Sequence, residues 1–190
     1  IWVAAGTYKP TWDVNEDNYE NKSFELIEDV GLFGHFGGVG TYETITTQRN
    51  FADVNNETFL EGKIGENDYE AVRYIVKAED IQDAIVDGFT IRGSYSGAGI
   101  YLDDADIAIV NSKLKDNDDY GVYATANTSS YPDIHNCLFM DNSTYALYCN
   151  RSRPAITNSI FDGNNITQRA ISANLSDIEL TDCTVKNHTG

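Results

Sequence analysis

An aliphatic residue returns about every 24 residues through the second half of this chain, each time inside a short extended pattern. Ile85-Val86-Asp87-Gly88, Ile109-Val110-Asn111-Ser112, Ile134-His135-Asn136-Cys137, Ile156-Thr157-Asn158-Ser159 and Leu180-Thr181-Asp182-Cys183 align at intervals of 24, 25, 22 and 24. An Asn or Asp follows two positions after each. A second strand pattern keeps the same period: Gly99-Ile100-Tyr101-Leu102, Gly121-Val122-Tyr123-Ala124, Ala146-Leu147-Tyr148-Cys149 and Ala170-Ile171-Ser172-Ala173. A period of this size marks a solenoid or array, in which each repeat buries its apolar face only against its neighbours. A solenoid has no central cleft, so function must sit on a lateral face, in the turns or at the ends.

The repeat can be read residue by residue. After each Asn or Asp comes a small residue, and two positions on a large apolar one: Ser112/Leu114, Cys137/Phe139, Ser159/Phe161 and Cys183/Val185. Period two puts both on one face, so the large residues should form a column inside. From Asp87 to Ile91 the spacing is one residue longer, which predicts a bulge there. Three residues after each large one come Asn117, Asn142, Asn164 and then His188. Stacked Asn side chains can bond one another along such an axis. Each coil then reads strand, turn, strand, turn, strand, closing a triangular tube. No segment has a convincing amphipathic helical period.

Residues 1–80 are less regular. Trp2-Val3, Phe24–Leu26, Val30–Phe33, Phe59-Leu60 and Val72–Val76 read as strands, with polar insertions at about 9–22 and 37–57. Terminal repeats commonly differ from internal ones. The expectation is one domain over 1–190, irregular over 1–80 and regular over 81–190.

The 190 residues carry 13 Lys+Arg against 30 Asp+Glu, a net charge of −17. That field repels nucleic acid and anionic membrane and suits cations. Cys137, Cys149 and Cys183 are an odd set with no close pairing, and they read as small buried hydrophobes rather than a disulfide framework. No apolar run approaches a membrane span. The chain opens on a strand without Met or signal peptide, as a processed product or excised piece does.

Ile1-Trp2-Val3-Ala4-Ala5-Gly6-Thr7-Tyr8, Gly31–Gly38 and Val86-Asp87-Gly88-Phe89-Thr90-Ile91 resemble large secreted bacterial proteins of the pectate-lyase-like superfamily. Gly97-Ala98-Gly99-Ile100, Phe139-Met140-Asp141-Asn142 and Phe161-Asp162-Gly163-Asn164 are similar to repeats of the polymorphic outer-membrane protein adhesins. The resemblance implies an all-β fold, a right-handed parallel β-helix (a single-stranded β-solenoid) of about seven coils. It also implies an extracellular or cell-surface location. It does not choose an activity, because lyases, glycosidases, adhesins and structural segments share that fold.

Candidate sites follow from the repeat. Tyr101, Tyr123 and Tyr148 share one outward position and form an aromatic ladder fit to stack on sugar rings or pack on a neighbour. Asp116 and Asp141 share another position, with Asp118 and Asp119 close by, and their oxygens suit Ca²⁺. Asp103, Asp104 and Asp106 form a second acidic turn. A lyase needs a strong base beside an acid neutraliser. Arg92, Arg151 and Arg153 lie away from the aspartate turn, and His35, His135 and His188 hold unrelated repeat positions. Asn-x-Ser/Thr acceptors stand at Asn21, Asn56, Asn127, Asn142, Asn150, Asn165, Asn174 and Asn187. In an exported protein they suit glycosylation, though at Asn142 a glycan would fit badly. The reading is a non-catalytic structural or adhesive segment that needs no cofactor. Its partners are polysaccharide or further copies of itself through open ends. The alternatives are a polysaccharide lyase or glycosidase of the same fold and a Ca²⁺-dependent surface-layer or filament subunit.

Overall fold

The computed structural model describes residues 1–10, 19–38, 43, 46–67, 69–163 and 169–189. Its strands pair in parallel and stack in chain order into three sheets, which are the three walls of a tube. The first wall holds seven strands: Trp2–Ala4, Gly31–Phe36, Gln82–Asp87, Asp106–Val110, Asp133–His135, Ala155–Thr157 and Glu179–Thr181. The second holds seven: Gly6–Tyr8, Thr58–Glu61, Phe89–Arg92, Lys113–Lys115, Leu138–Met140, Ile160–Asp162 and Thr184–Lys186. The third holds six: Phe24–Glu25, Tyr74–Glu79, Ala98–Asp103, Tyr120–Ser130, Tyr145–Ser152 and Arg169–Asn174. The helices among the described residues are three 3₁₀ turns of three residues each.

Four consecutive turns are regular and three-stranded, over 82–103, 106–130, 133–152 and 155–174. The earlier turns carry the long insertions, and only Glu179–Thr181 and Thr184–Lys186 follow among the described strands. The expected seven coils are thus corrected to about four regular turns with irregular flanks.

Most corners are turned by a single residue in left-handed backbone, which Gly, Asn and Asp adopt most readily. The first corner uses Gly88 (φ 85°), Asn111 (49°), Asn136 (53°), Asn158 (49°) and Asp182 (53°). The second uses Gly93 (80°), Asp116 (55°), Asp141 (54°) and Asn187 (58°), and the third uses Asp80 (53°), Asp104 (47°), Arg151 (57°) and Leu175 (50°). This explains a composition rich in turn residues at fixed spacing.

The corners also correct the repeat alignment. Val86, not Ile85, pairs with Ile109, so Gly88 takes the place of Asn111 and no bulge follows Asp87. The extra residue lies upstream, where the register shifts between Asp106 and Ala108 and Asp83 has φ 56°.

Inside, Ile91, Leu114, Phe139 and Phe161 stand buried in one register, the column expected from the repeat; Val185 continues the register on the last described strand but is 53% exposed there. The Phe139 and Phe161 rings stack at 4.7 Å. Each fully buried side chain of this size contributes about 1.5–3 kcal/mol. The amide ladder runs along the second corner. Asn117 Nδ2 donates to Asn142 Oδ1 at 3.0 Å, and Asn142 Nδ2 donates to the Leu114 carbonyl at 2.9 Å. Asn164 lies outside the described residues. The ladder needs space, and a column of small residues in the third wall gives it. A Cβ on Gly99 would stand 2.8 Å from Asn117 Nδ2, and one on Gly121 3.0 Å from Asn142 Nδ2. One turn earlier, buried Ile75 occupies the position of Gly99, and there the ladder residue is Ser94.

Candidate functional site

The outer face of the third wall carries six tyrosines. Tyr101, Tyr123 and Tyr148 pair in register on successive turns, as the period-two pattern requires. A second column, Tyr120 and Tyr145, lies three residues before the first. Tyr74 stacks on Tyr101 at 4.3 Å, although its register partner is Ala98. The rings touch throughout: Tyr101–Tyr123 5.5 Å, Tyr123–Tyr148 5.2 Å and Tyr120–Tyr145 6.0 Å, the first two edge-to-face. All six are half-buried by one another. Edge-to-face packing sets the edge of one ring against the face of the next. Burial, and then the charge of Asp103, push the Tyr101 phenol far above its ordinary pKa. Burial does the same to Tyr74, Tyr120 and Tyr123. The phenols therefore stay neutral and act as hydrogen-bond donors. Beside them a groove of about 330 Å³ is lined by Lys22, Arg73, Tyr74, Lys77 and Tyr101.

Asp116 and Asp141 neighbour each other at the second corner. Both are corner residues first, chosen for their backbone. The Asp116 carboxylate pairs with Lys115 at 2.9 Å. Asp118 accepts the Ser96 N–H and Asp119 the Thr144 hydroxyl. Asp141 Oδ1 is buried without a hydrogen-bond partner among the described residues. No group of three or more His, Cys, Asp or Glu among the described residues is arranged to hold a metal ion. In the other acidic turn, Asp104 accepts the Asn127 side chain and Asp103 the Tyr101 phenol.

A third constellation was hidden in the sequence, because an insertion builds it. Residues 46–57 fold back over the corner between the first and second walls. Arg49 pins them there, pairing with Asp87 at 2.7 Å and donating to the Gly34 carbonyl at 3.1 Å. This gathers His35, Glu57 and Lys113 around one cavity. Glu57 accepts from Lys113 Nζ at 2.7 Å and from Thr90 at 2.8 Å. Burial pushes its carboxyl up, but these bonds and the charges of Lys113 and His35 together hold it below its ordinary value. His35 has φ 66° and lies 3.0 Å from the Asn50 carbonyl through Nε2. Burial lowers its pKa, so the ring is neutral and Nε2 carries the proton that this carbonyl accepts.

A family model for the right-handed β-helix region matches residues 46–190. The chain belongs to the right-handed β-helix family. No curated protein and no solved structure matches it. Family membership fixes the hand of the winding and leaves the activity open, so the faces of this β-helix must speak for its function.

Around that β-helix, two of the arginines weighed for a lyase base are paired with carboxylates. Arg92 pairs with Glu61 at 2.8 Å, and Arg153 with Asp177 at 3.4 Å. Of the glycan acceptors, Asn21, Asn127, Asn174 and Asn187 are exposed, while Asn56 and Asn150 are half-buried. Asn142 is fully buried in the ladder, and Asn165 lies outside the described residues.

Proposed function

We propose that this β-helix is a non-catalytic structural or adhesive segment of an extracellular or cell-surface protein, and that its third wall contacts carbohydrate. The observation that carries this reading is the six-tyrosine face, where half-buried rings in mutual contact repeat from turn to turn. Sugar rings present apolar C–H faces and hydroxyl rims, which suit such a surface. The similarity of the Phe-x-x-Asn repeats to adhesins supports the same reading. The test is retention of the chain by immobilised polysaccharides in native gels, repeated with Tyr123→Ala. Loss of retention with an unchanged melting temperature is the expected result. Unchanged retention refutes the contact. Rods that form with rising concentration and disappear in Tyr123→Ala assign the face to a second copy instead.

The reading requires no cofactor. Calcium enters as an accessory ligand at Asp141 and Asp116, supported by the unpartnered Asp141 Oδ1. Calorimetric titration should then give heat that Asp141→Asn abolishes, and a titration without heat removes calcium from the account. Glycosylation at the exposed acceptors is part of the same extracellular reading, and the intact mass of native material reports it.

A further inference from the structure

Two of the outer tyrosines differ from the rest in how they meet. Tyr74 and Tyr101 lie face to face, with ring centres 4.3 Å apart and planes 13° from parallel. Tyr101 meets Tyr123 at 72° and Tyr123 meets Tyr148 at 84°, edge against face. Tyr120 and Tyr145 are parallel within 6° but sit 6.0 Å apart. Register does not explain the close pair, because Lys77 and not Tyr74 pairs with Tyr101. The Tyr74 ring, with the Arg73 guanidinium 5.3 Å from its centre, reaches along the wall to lie on Tyr101.

That geometry has a chemical use. Loss of one electron and one proton turns a phenol into a phenoxyl radical, whose half-filled orbital stands perpendicular to the ring plane. Two such radicals therefore join by approaching face to face. The Tyr74–Tyr101 pair already has that approach, and the edge-to-face pairs lack it. Tyr101 also has a base in place. Its phenol donates to the Asp103 carboxylate, so the proton that leaves on oxidation has an acceptor. Burial, and then the charge of Asp104, raise the pKa of Asp103 and strengthen it as a base. The groove of about 330 Å³ lined by both tyrosines gives a small oxidant access to them.

We propose that Tyr74 and Tyr101 form an oxidative cross-linking site, where a haem peroxidase and hydrogen peroxide couple them into a dityrosine staple between two turns. Each phenol loses one electron and one proton. The two phenoxyl radicals then form one bond between carbons ortho to their oxygens. The hydrogens on those carbons move to the oxygens and restore both phenols. The two electrons and two protons released reduce the peroxide to two waters. The staple joins Tyr74–Glu79, the strand after the long insertions, to Ala98–Asp103 in the first regular turn. A covalent tie there restricts the unfolded chain and stabilises the joint where regular winding begins.

The test treats the purified chain with a haem peroxidase and hydrogen peroxide, then reads dityrosine fluorescence and the masses of tryptic peptides. The expected product is a single chain that has lost two hydrogens, with the peptide holding Tyr74 joined to the one holding Tyr101. It should melt at a higher temperature than the untreated chain. Tyr101→Phe keeps the ring and removes the phenol, and should cut this product at least tenfold. Tyr95→Phe, in the same tryptic peptide between Arg92 and Lys113, should leave it unchanged. Asp103→Asn should slow its formation severalfold. Retention on polysaccharide needs rings and not radicals, so the carbohydrate reading and this one fail independently. The proposal is overturned if no such peptide pair forms, or if Tyr101 couples to Tyr123 as readily as to Tyr74. It is also overturned if Tyr101→Phe yields as much of the joined peptides as the native chain, or if Asp103→Asn reacts as fast.

Discussion

Asn142→Ala should be among the most damaging single changes in this chain, although it removes no apolar contact. The side chain is fully buried. Its Oδ1 accepts from Asn117 Nδ2 at 3.0 Å and from Asn117 N at 3.3 Å, and its Nδ2 donates to the Leu114 carbonyl at 2.9 Å. Three hydrogen bonds at about 1 kcal/mol each give about 3 kcal/mol, and the buried Asn117 N–H left unpaired raises the total to about 3–5 kcal/mol. Asn174→Ala is the internal control. It removes a single exposed amide contact, Asn174 Nδ2 to Asn150 Oδ1 at 3.0 Å, for less than about 1 kcal/mol. Urea unfolding followed by circular dichroism measures both, with the slope m checked for constancy. Native-state hydrogen exchange at the Asn117 amide should speed up in step. If Asn142→Ala costs no more than Asn174→Ala, the ladder is a by-product of turn chemistry and not a source of stability.

Two further outcomes follow from the same geometry. Gly121→Ala would place a Cβ 2.6 Å from the Ala146 carbonyl and 2.9 Å from the Phe139 ring. It should cost about 1–3 kcal/mol by overpacking, and a melting temperature within a degree of the native value would contradict the packing argument. Burial depresses the pKa of His35 below its ordinary 6.5, so the unfolded chain takes up a proton before the folded one does. The contribution of His35 to stability is full above about pH 6.5 and declines as the pH falls below it. His35→Asn keeps a residue tolerant of left-handed backbone and should flatten the stability profile between about pH 6.5 and 5, whereas an unchanged slope there assigns it to other groups.

The parts of this fold that depend on period were legible in the sequence. Leu114, Phe139 and Phe161 could be placed in one inner column because the backbone alternates and the turns repeat. Tyr101, Tyr123 and Tyr148 followed on the outside by the same alternation. The alignment failed by one residue at Ile85-Val86, where two neighbouring aliphatics gave period two nothing to choose between. The left-handed corner at Gly88 settles it, and that is a backbone property. The second tyrosine column was available as Tyr120-Gly-Val-Tyr123 and Tyr145-Ala-Leu-Tyr148 but was not read. The gathering of His35, Glu57 and Lys113 could not have been read, because an insertion outside the repeat brings them together. The aspartates answer to two demands at once. A pair that looked chosen for a cation occupies positions where the backbone already favours Asp.

The tyrosine strip crosses four successive windings of a molecule in which each winding touches only those beside it. Such a spring opens one coil at a time, and the least supported coil sets its weakness. A stiff polymer bound along the strip, as proposed, would grip all four at once, like a splint across a fracture, so no single coil could open while it held. A load borne by that polymer would then be spread through the spring, and the grip would strengthen the scaffold that makes it.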